Sequence, residues 1–269
     1  MEKQIASFFK NFVEELLFGS ETFCVSCGQK LPEEREEPLC SFCAERLPML
    51  PARRELTDEQ GTITGICYSA MFYDNFLKEL FARYKFGGES FLLPAFVNRL
   101  EQAFLKIPDC RDIEWITYIP MHHRRETLRG YNPAEQMARA LAGKQDLLLV
   151  HGLKKMRESA EQKKSSRLER ERNVVGKWAW REDAFLEFPN CGKPASWRKI
   201  PCQVQDMAGT KGILLDDFLT TGSTIQEGFR ILEERKLSCV GLVLASAGYP
   251  SEEERRSYEN GIGRTLGNS

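Results

Sequence analysis

A parallel α/β sheet covered by helices, preceded by a small cysteine-rich module, is the fold class that three observations predict. Apolar strand-like runs alternate with amphipathic helix-like runs between Thr62 and Gly248. With 269 residues and 42% apolar content, the chain can bury a full core and still carry an accessory module. Four of the nine cysteines crowd into CVSCGQKLPEEREEPLCSFC, ahead of the alternating region.

The chain opens on MEKQIASFFKNFVEELLF, where Ile5, Phe8, Phe12 and Leu16 recur at helical spacing and predict an amphipathic helix. Its acidic residues, and the lack of a small-residue cleavage site, argue against a secretory signal. No stretch approaches the ~18 apolar residues of a membrane span, so a cytoplasmic protein without a span is expected.

The cysteine module follows: Cys24-x2-Cys27, twelve residues, then Cys40-x2-Cys43. Each CxxC knuckle can place two thiolates on one side of a Zn²⁺, and two knuckles close a tetrahedral site. Four thiolates leave no open position, so such a zinc is structural, and a segment this small takes most of its folding free energy from the metal. Paired disulfides are the alternative, disfavoured in an intracellular chain. Cys67, Cys110 and Cys239 lie in or beside apolar runs and read as core; Cys191 and Cys202 are left without a role.

PARRELTDEQG, from Pro51 to Gly61, reads as a polar linker. TITGICYSAMFY then predicts a strand, DNFLKELFARYKF a helix, and SFLLPAFVNRLEQAFLKI a second helix broken near Pro94. DIEWITYIP predicts a strand; PAEQMARALAG predicts a helix with Asn132 as N-cap, Pro133 in the first turn and Glu135 three residues after the cap. QDLLLVHGL predicts a strand, SSRLERERN a charged helix or loop, and KGILLDD a buried strand ending at Leu214-Leu215. STIQEGFRILEERK predicts a helix starting near Ser223, LSCVGLVLASAG a buried strand, and SEEERRSYENGIGRTLGNS a loose polar tail.

The stretch LLDDFLTTGST, Leu214 to Thr224, carries the chemistry. In an open α/β sheet, ligands bind where strands end and the next helices begin. The turn before Ser223 aims successive N–H groups and the helix dipole at one spot. Thr220, Thr221, Ser223 and Thr224 add hydroxyls, and Gly222 lets the backbone come close. This is a phosphate cup without the Gly-Lys-Ser/Thr ending of a P-loop. Asp216 and Asp217 just ahead of it suit a sugar phosphate, accepting from vicinal ribose hydroxyls directly or through a hydrated Mg²⁺. An acidic strand end before an ordinary helix cap is the bland alternative.

These residues resemble the phosphoribosyl-pyrophosphate (PRPP) motif of type I phosphoribosyltransferases. The chain as a whole resembles the ComF/ComFC family of competence-associated, phosphoribosyltransferase-like proteins. The matching pieces, in order, are the Cys24–Cys43 ribbon, Lys85 in YKFGG, IPMHHRRETLRGYNPAEQMARALA, Gln162 with Arg167 and Asn173-Val-Val-Gly, and the PRPP motif. The resemblance implies a type I phosphoribosyltransferase-like parallel sheet flanked by helices with a small N-terminal zinc ribbon. It divides the chain at 1–50 (helix and ribbon), 51–248 (phosphoribosyltransferase-like domain, hood about 61–110) and 249–269 (tail). It implies that Asp216 and Asp217 hold the ribose hydroxyls and that Thr220, Thr221, Gly222, Ser223 and Thr224 hold the 5'-phosphate. Arg124, Arg125 and Arg129 would lie at the pyrophosphate, where guanidinium forks match phosphate oxygens. His122 and His123 are candidate acids for the leaving group. Gln162 and Arg167 would belong to a flexible loop closing over PRPP.

Two departures bear on activity. Some phosphoribosyltransferases carry a carboxylate as general base at the motif's fifth position, which is Thr220 here, and Pro133 stands where family members usually show Gln. The segment Lys177–Thr210, with Trp178, Trp180 and Trp197, is unusually long: a hairpin insertion, a partner surface or a cover for the site. The resemblance therefore implies a PRPP-binding protein linked to DNA uptake in natural transformation. If active, it is a Mg²⁺-assisted phosphoribosyltransferase toward an unnamed acceptor. The alternative is a non-catalytic PRPP sensor or a scaffold for single-stranded DNA and a competence helicase. A formal net charge of −1 speaks against general nucleic-acid affinity.

Overall fold

The run Gly212-Ile213-Leu214-Leu215 is buried because it runs through the middle of the sheet. The computed structural model describes residues 23–32, 38–47, 49–156, 176–189, 197–202 and 207–247. They fall into two compact units, one ending at Pro48 and one beginning at Met49. The expected N-terminal helix, the Gln162–Arg167 loop, Asn173-Val-Val, Cys191 and the tail lie outside the described residues.

In the second unit the strands are β1 (Ala52–Thr57), β2 (Ile63–Phe72), β3 (Ile113–Tyr118) and β4 (Leu148–Lys155). They continue with β5 (Trp178–Pro189), β6 (Trp197–Pro201), β7 (Lys211–Leu219) and β8 (Ser238–Ser246). All join one eight-stranded sheet in the order β1-β2-β8-β7-β3-β4-β5-β6. The inner strands β2, β8, β7, β3 and β4 are parallel. At the margins, β1 pairs antiparallel with β2, and β5 and β6 extend the other side antiparallel. The parallel sheet expected from the alternation is thus the centre of a mixed one.

The helices are α1 (Ser41–Glu45) in the first unit, then α2 (Asn75–Gly87), α3 (Leu93–Phe104), α4 (His123–Arg129), α5 (Pro133–Gln145) and α6 (Ser223–Glu233). α3 packs on β2 and β8 and against α5, which covers β3, β4 and β7; α6 packs on β2, β7 and β8. The core beneath α6 is built from Ile225, Phe229 and Leu232 of the helix with Cys67, Trp115, Leu214 and Val243 of the strands. Asn132 caps α5 as expected, its Oδ1 accepting from the Ala134 N–H at 3.1 Å.

Three sequence expectations need correction. The supposed linker after Pro51 contains β1, an edge strand on which Leu56 is the one buried residue. An edge strand buries one side only, so charged residues suit the rest of it, and its composition resembles a linker's. Asp58 accepts from the N–H groups of Gln60 and Thr62 at 2.9 and 2.8 Å, closing the β1–β2 turn. Pro94 does not break a helix; it sits in the first turn of α3, where its missing N–H is harmless. β7 runs four residues past Leu215, because Phe218 packs edge-on against Tyr73 and Phe81, both ring centroids 4.6 Å away. Of the alternatives for the long insertion, the structure has the hairpin: β5 and β6 pair and extend the sheet, and Trp178 and Leu186 join the core.

Trp115 lies 1% exposed across the Cα of Gly212, its register partner on β7. Its indole N–H donates to Thr210 Oγ1 at 3.0 Å. A Cβ on residue 212 would lie 2.2 Å from two carbons of the indole ring. Gly212→Ala is therefore expected to lose about 1–3 kcal/mol of stability through overpacking, read as a lower urea midpoint with an unchanged m-value.

Candidate functional site

A cleft of about 630 Å³ opens at the C-terminal ends of β3, β4 and β7 and the start of α6, where open α/β sheets bind ligands. Its polar lining is Lys85, Arg129, Asn132, Lys155, Asp216, Asp217 and Thr224. Its apolar lining includes Phe86, Ile119, Pro120, Met121, Leu128 and Trp178.

The two aspartates are held by their own strand. Asp216 Oδ1 accepts from the Asp217 N–H at 2.8 Å, and Asp217 Oδ1 accepts from the Phe218 N–H at 2.9 Å. The other Asp217 oxygen, Oδ2, takes Lys85 Nζ at 2.5 Å. Burial, then the neighbouring Asp217 charge, push the Asp216 carboxyl well above the usual carboxylate range. A cation or a hydroxyl donor placed here would relieve that penalty.

α6 begins where the sequence predicts, at Ser223. Its N-cap is Gly222 at φ 89°, which has no side chain to cap the first turn, so first-turn N–H groups are left to a ligand or water. Ser223 N–H donates weakly to Thr221 Oγ1 at 3.4 Å, and the two hydroxyls lie 2.9 Å apart. A Cβ at residue 222 would come within 2.9 Å of Leu56 Cδ2 in a left-handed conformation, so glycine suits both the turn and the packing. Gln226 donates from its side chain to Thr57 O at 2.7 Å, and its N–H to Gly222 O at 2.9 Å. The β1–β2 hairpin thereby buttresses the cup.

Of the expected site residues, Asp216, Asp217, Thr224 and Arg129 line the cleft directly. Thr220 and Thr221 are exposed on the turn and Gly222 is buried within it. Arg124 and Arg125 lie on α4, a short helix where a loop was expected, ended by Gly130 at φ 85°; their side chains and that of His123 lie outside the described residues. His122 is half-buried and is not part of the cleft lining. Arg129 stacks 4.9 Å from the Phe86 ring centroid. Lys155 and Trp178 were not foreseen in the site. Trp178 donates from Nε1 to Pro120 O at 3.0 Å, and Lys155 Nζ lies 4.7 Å from its ring centroid. The available signal was positional, since Lys155 closes β4 and strand ends gather at the cleft.

In the first unit, the ligand atoms of Cys24, Cys27, Cys40 and Cys43 lie within 4.8 Å of one another, and Cys27 Sγ is 3.7 Å from Cys40 Sγ. Zn–S bonds of about 2.3 Å in a tetrahedron put sulfurs roughly 3.8 Å apart, so the cluster fits a metal ion such as zinc. The first knuckle turns through Gly28, at φ 74°, whose N–H donates to Cys24 O at 2.8 Å. Cys40 caps α1, its sulfur facing the Cys43 N–H at 3.5 Å. Burial raises the Cys24 thiol, but hydrogen bonds from the backbone of Cys40, Cys27 and Ser26 outweigh it and bring the group to about 6. Burial pushes Cys43 up to about 12. The described cysteines are all free thiols. Among the described residues, no helix is long and apolar enough to cross a membrane.

No family model matches the chain. Among characterised proteins it is 25% identical over 226 residues to the competence protein ComFC of Bacillus subtilis, covering 82% of this chain and 81% of that one. It is 29% identical over 171 residues to ComFC of Streptococcus pneumoniae, covering 63% of each. Among solved structures it aligns with an adenine phosphoribosyltransferase at 14% identity and a TM-score of 0.29, over 79% of this chain and 92% of that one. The UMP synthase of Leishmania donovani aligns at 15% identity and a TM-score of 0.31, over 80% of this chain and 32% of that one. The expected arrangement rests on the strand order itself: a parallel α/β centre, helices on both faces, and an acidic strand end leading into a helix start.

Proposed function

We propose that this chain, a relative of the ComFC competence proteins, binds PRPP together with Mg²⁺ in the cleft at the end of β7. The carrying observation is that Asp216 and Asp217 stand near the end of a buried strand, Asp217 six residues ahead of the helix start at Ser223, whose cap residue is a bare glycine. The carboxylates accept from the ribose 2'- and 3'-hydroxyls. The 220–224 turn and the first turn of α6 take the 5'-phosphate. Arg129, which lines the same cleft, takes the pyrophosphate; Arg124, Arg125, Gln162 and Arg167 are proposed as further pyrophosphate and loop contacts. Asp216 and Asp217 would hold Mg²⁺ arriving with PRPP, and the ion would supply neutralisation of the pyrophosphate charge as the C1–O bond breaks. A nitrogenous acceptor then forms the new bond at C1, and pyrophosphate leaves. The cluster of Cys24, Cys27, Cys40 and Cys43 holds a structural zinc.

The name of the relatives supports a place in competence; a role in DNA uptake, with a helicase or single-stranded DNA as partner, is part of the proposal. One observation favours a second reading, in which PRPP is bound but not turned over. Thr220 stands where a general base would, and the carboxylates lining the cleft are Asp216 and Asp217 alone among the described residues. Pyrophosphate release in the presence of candidate nitrogen bases separates the two readings. Single-stranded DNA binding, if it occurs, weakens steeply with salt, whereas PRPP binding follows Mg²⁺.

Calorimetric titration with PRPP tests the proposal: heat is expected with Mg²⁺ and lost without it, and a folded protein that stays silent in both overturns it. The raised Asp216 carboxyl adds a pH signature. The ligand requires the charged carboxylate, so affinity rises with pH through the raised pKa and flattens above it, with proton release on binding. In the free protein the sign is opposite. A carboxyl raised above its unfolded value takes stability away as pH rises through it. PRPP·Mg²⁺ is therefore expected to raise the melting temperature more at mildly alkaline than at mildly acidic pH.

A further inference from the structure

Lys85 reaches the acidic pair from the far side of the cleft and from 132 residues away in the chain. It lies in the last turn of α2, which Gly88 ends in a left-handed conformation at φ 73°. Its backbone is pinned on both sides. Arg83 makes a forked ion pair with Glu89, Nε to Oε1 at 3.1 Å and Nη2 to Oε2 at 2.6 Å. The Tyr131 hydroxyl donates to the Tyr84 carbonyl. The Lys85 side chain is therefore the part free to move, four carbons ending in a point charge.

That charge now occupies Asp217 Oδ2, with both side chains about three-quarters covered, at 26% and 21% exposure. Asp216 Oδ1 and Asp217 Oδ1 are already engaged by backbone N–H groups. Lys85 thus sits where a divalent cation or a ribose hydroxyl would have to approach Asp217.

We propose that Lys85 guards the acidic pair as an internal counter-cation, and is handed from Asp217 to the pyrophosphate when PRPP enters with its metal. This rests on the reading of the cleft as a PRPP site. A free divalent cation would have to displace the ammonium and leave it facing a metal at close range, with no new anion to meet it. A metal arriving as its pyrophosphate complex brings that anion, so exchange at Asp217 is matched by a new ion pair for Lys85. The consequence is selectivity: the cleft takes the metal–PRPP complex and rejects the bare ion. Lys85 is thereby a specificity-determining residue whose two effects have opposite signs.

The experiment uses the full chain and Mn²⁺ as the paramagnetic probe, free Mn²⁺ being read by electron paramagnetic resonance. Lys85→Met is expected to bind Mn²⁺ alone at least tenfold more tightly than wild type and Mn²⁺·PRPP at least tenfold more weakly. Lys85→Arg keeps the charge and is expected to reject bare Mn²⁺ as wild type does. Loss of packing alone would weaken both ligands together, and equal urea midpoints establish that the variants are folded. Unchanged or weaker binding of bare Mn²⁺ by Lys85→Met overturns the guarding role. Tighter Mn²⁺ with undiminished Mn²⁺·PRPP binding overturns the handover. Wild type that binds no PRPP at any Mn²⁺ concentration instead sinks the PRPP reading, and the handover with it, while the Mn²⁺-only comparison still decides the guarding role.

Discussion

Asp216→Asn/Asp217→Asn is expected to lose PRPP binding by more than about 100-fold while remaining folded. Each carboxylate removed is a charged acceptor for the ribose diol or its metal, worth about 1.5–3 kcal/mol as a charge-assisted hydrogen bond. Two together amount to about 3–6 kcal/mol, and 1.4 kcal/mol is tenfold in affinity. Folding should not suffer, because Asp216 is raised by burial and by its neighbour's charge. The isosteric amides remove that repulsion and keep an oxygen for the Asp217 and Phe218 N–H groups. The amides also give up the Lys85–Asp217 ion pair, which offsets the relieved repulsion, so the melting temperature without ligand is expected to stay close to wild type. Calorimetry and thermal melts in parallel give the result; a variant that binds PRPP with wild-type affinity removes the acidic pair from the site.

Loss of metal from the four-cysteine cluster is the second large effect. Structural zinc in small thiolate sites supplies on the order of 10–16 kcal/mol, and the described part of this unit has few buried residues besides the cysteines, chiefly Leu31, Leu39 and Leu47. Wild type is expected to carry one zinc per chain by elemental analysis. Cys43→Ser replaces a buried thiol with a poor zinc ligand, so zinc content should fall well below one and proteolytic cleavage between residues 23 and 47 should appear. The thiolate is the metal-binding form, so zinc is lost as pH falls. Cys24, already brought to about 6 by backbone hydrogen bonds, is the thiol most ready to ligate near neutrality. Full zinc occupancy in Cys43→Ser with unchanged protease resistance would remove that residue from the metal site.

Several features were legible because they depend on local pattern alone. The four cysteines are visible from spacing, since a CxxC turn places two sulfurs together whatever surrounds it. The Asn132 cap of α5 follows from a side chain that satisfies a backbone N–H two residues on, and the start of α6 at Ser223 follows from Gly222, whose left-handed conformation turns the chain into the helix. The buried strands β3, β7 and β8 announce themselves as apolar runs, because strands buried on both faces need no polar alternation. The acidic pair ahead of a small-residue turn marked the cleft for the same reason.

Other features were decided by contacts between distant segments. β1 reads as a linker, since an edge strand buries one side and only Leu56 shows it. The extension of β7 to Leu219 depends on Phe218 meeting Tyr73 and Phe81 from other elements. Trp178 enters the cleft wall because the β5–β6 hairpin happens to pair with β4, where its N–H finds the Pro120 carbonyl. Lys85 and Asp217 are no neighbours in any local pattern, and the packing of α2 on β7, through Phe81 and Phe218, brings them to 2.5 Å. The sequence by itself therefore determined the inner strands and the helices beside them, the thiolate set and the place of the acidic pair, through interactions spanning a few residues. The tertiary structure decided which charges face one another across the cleft, because long-range pairing is set by how the packed elements come together and leaves no periodicity to read.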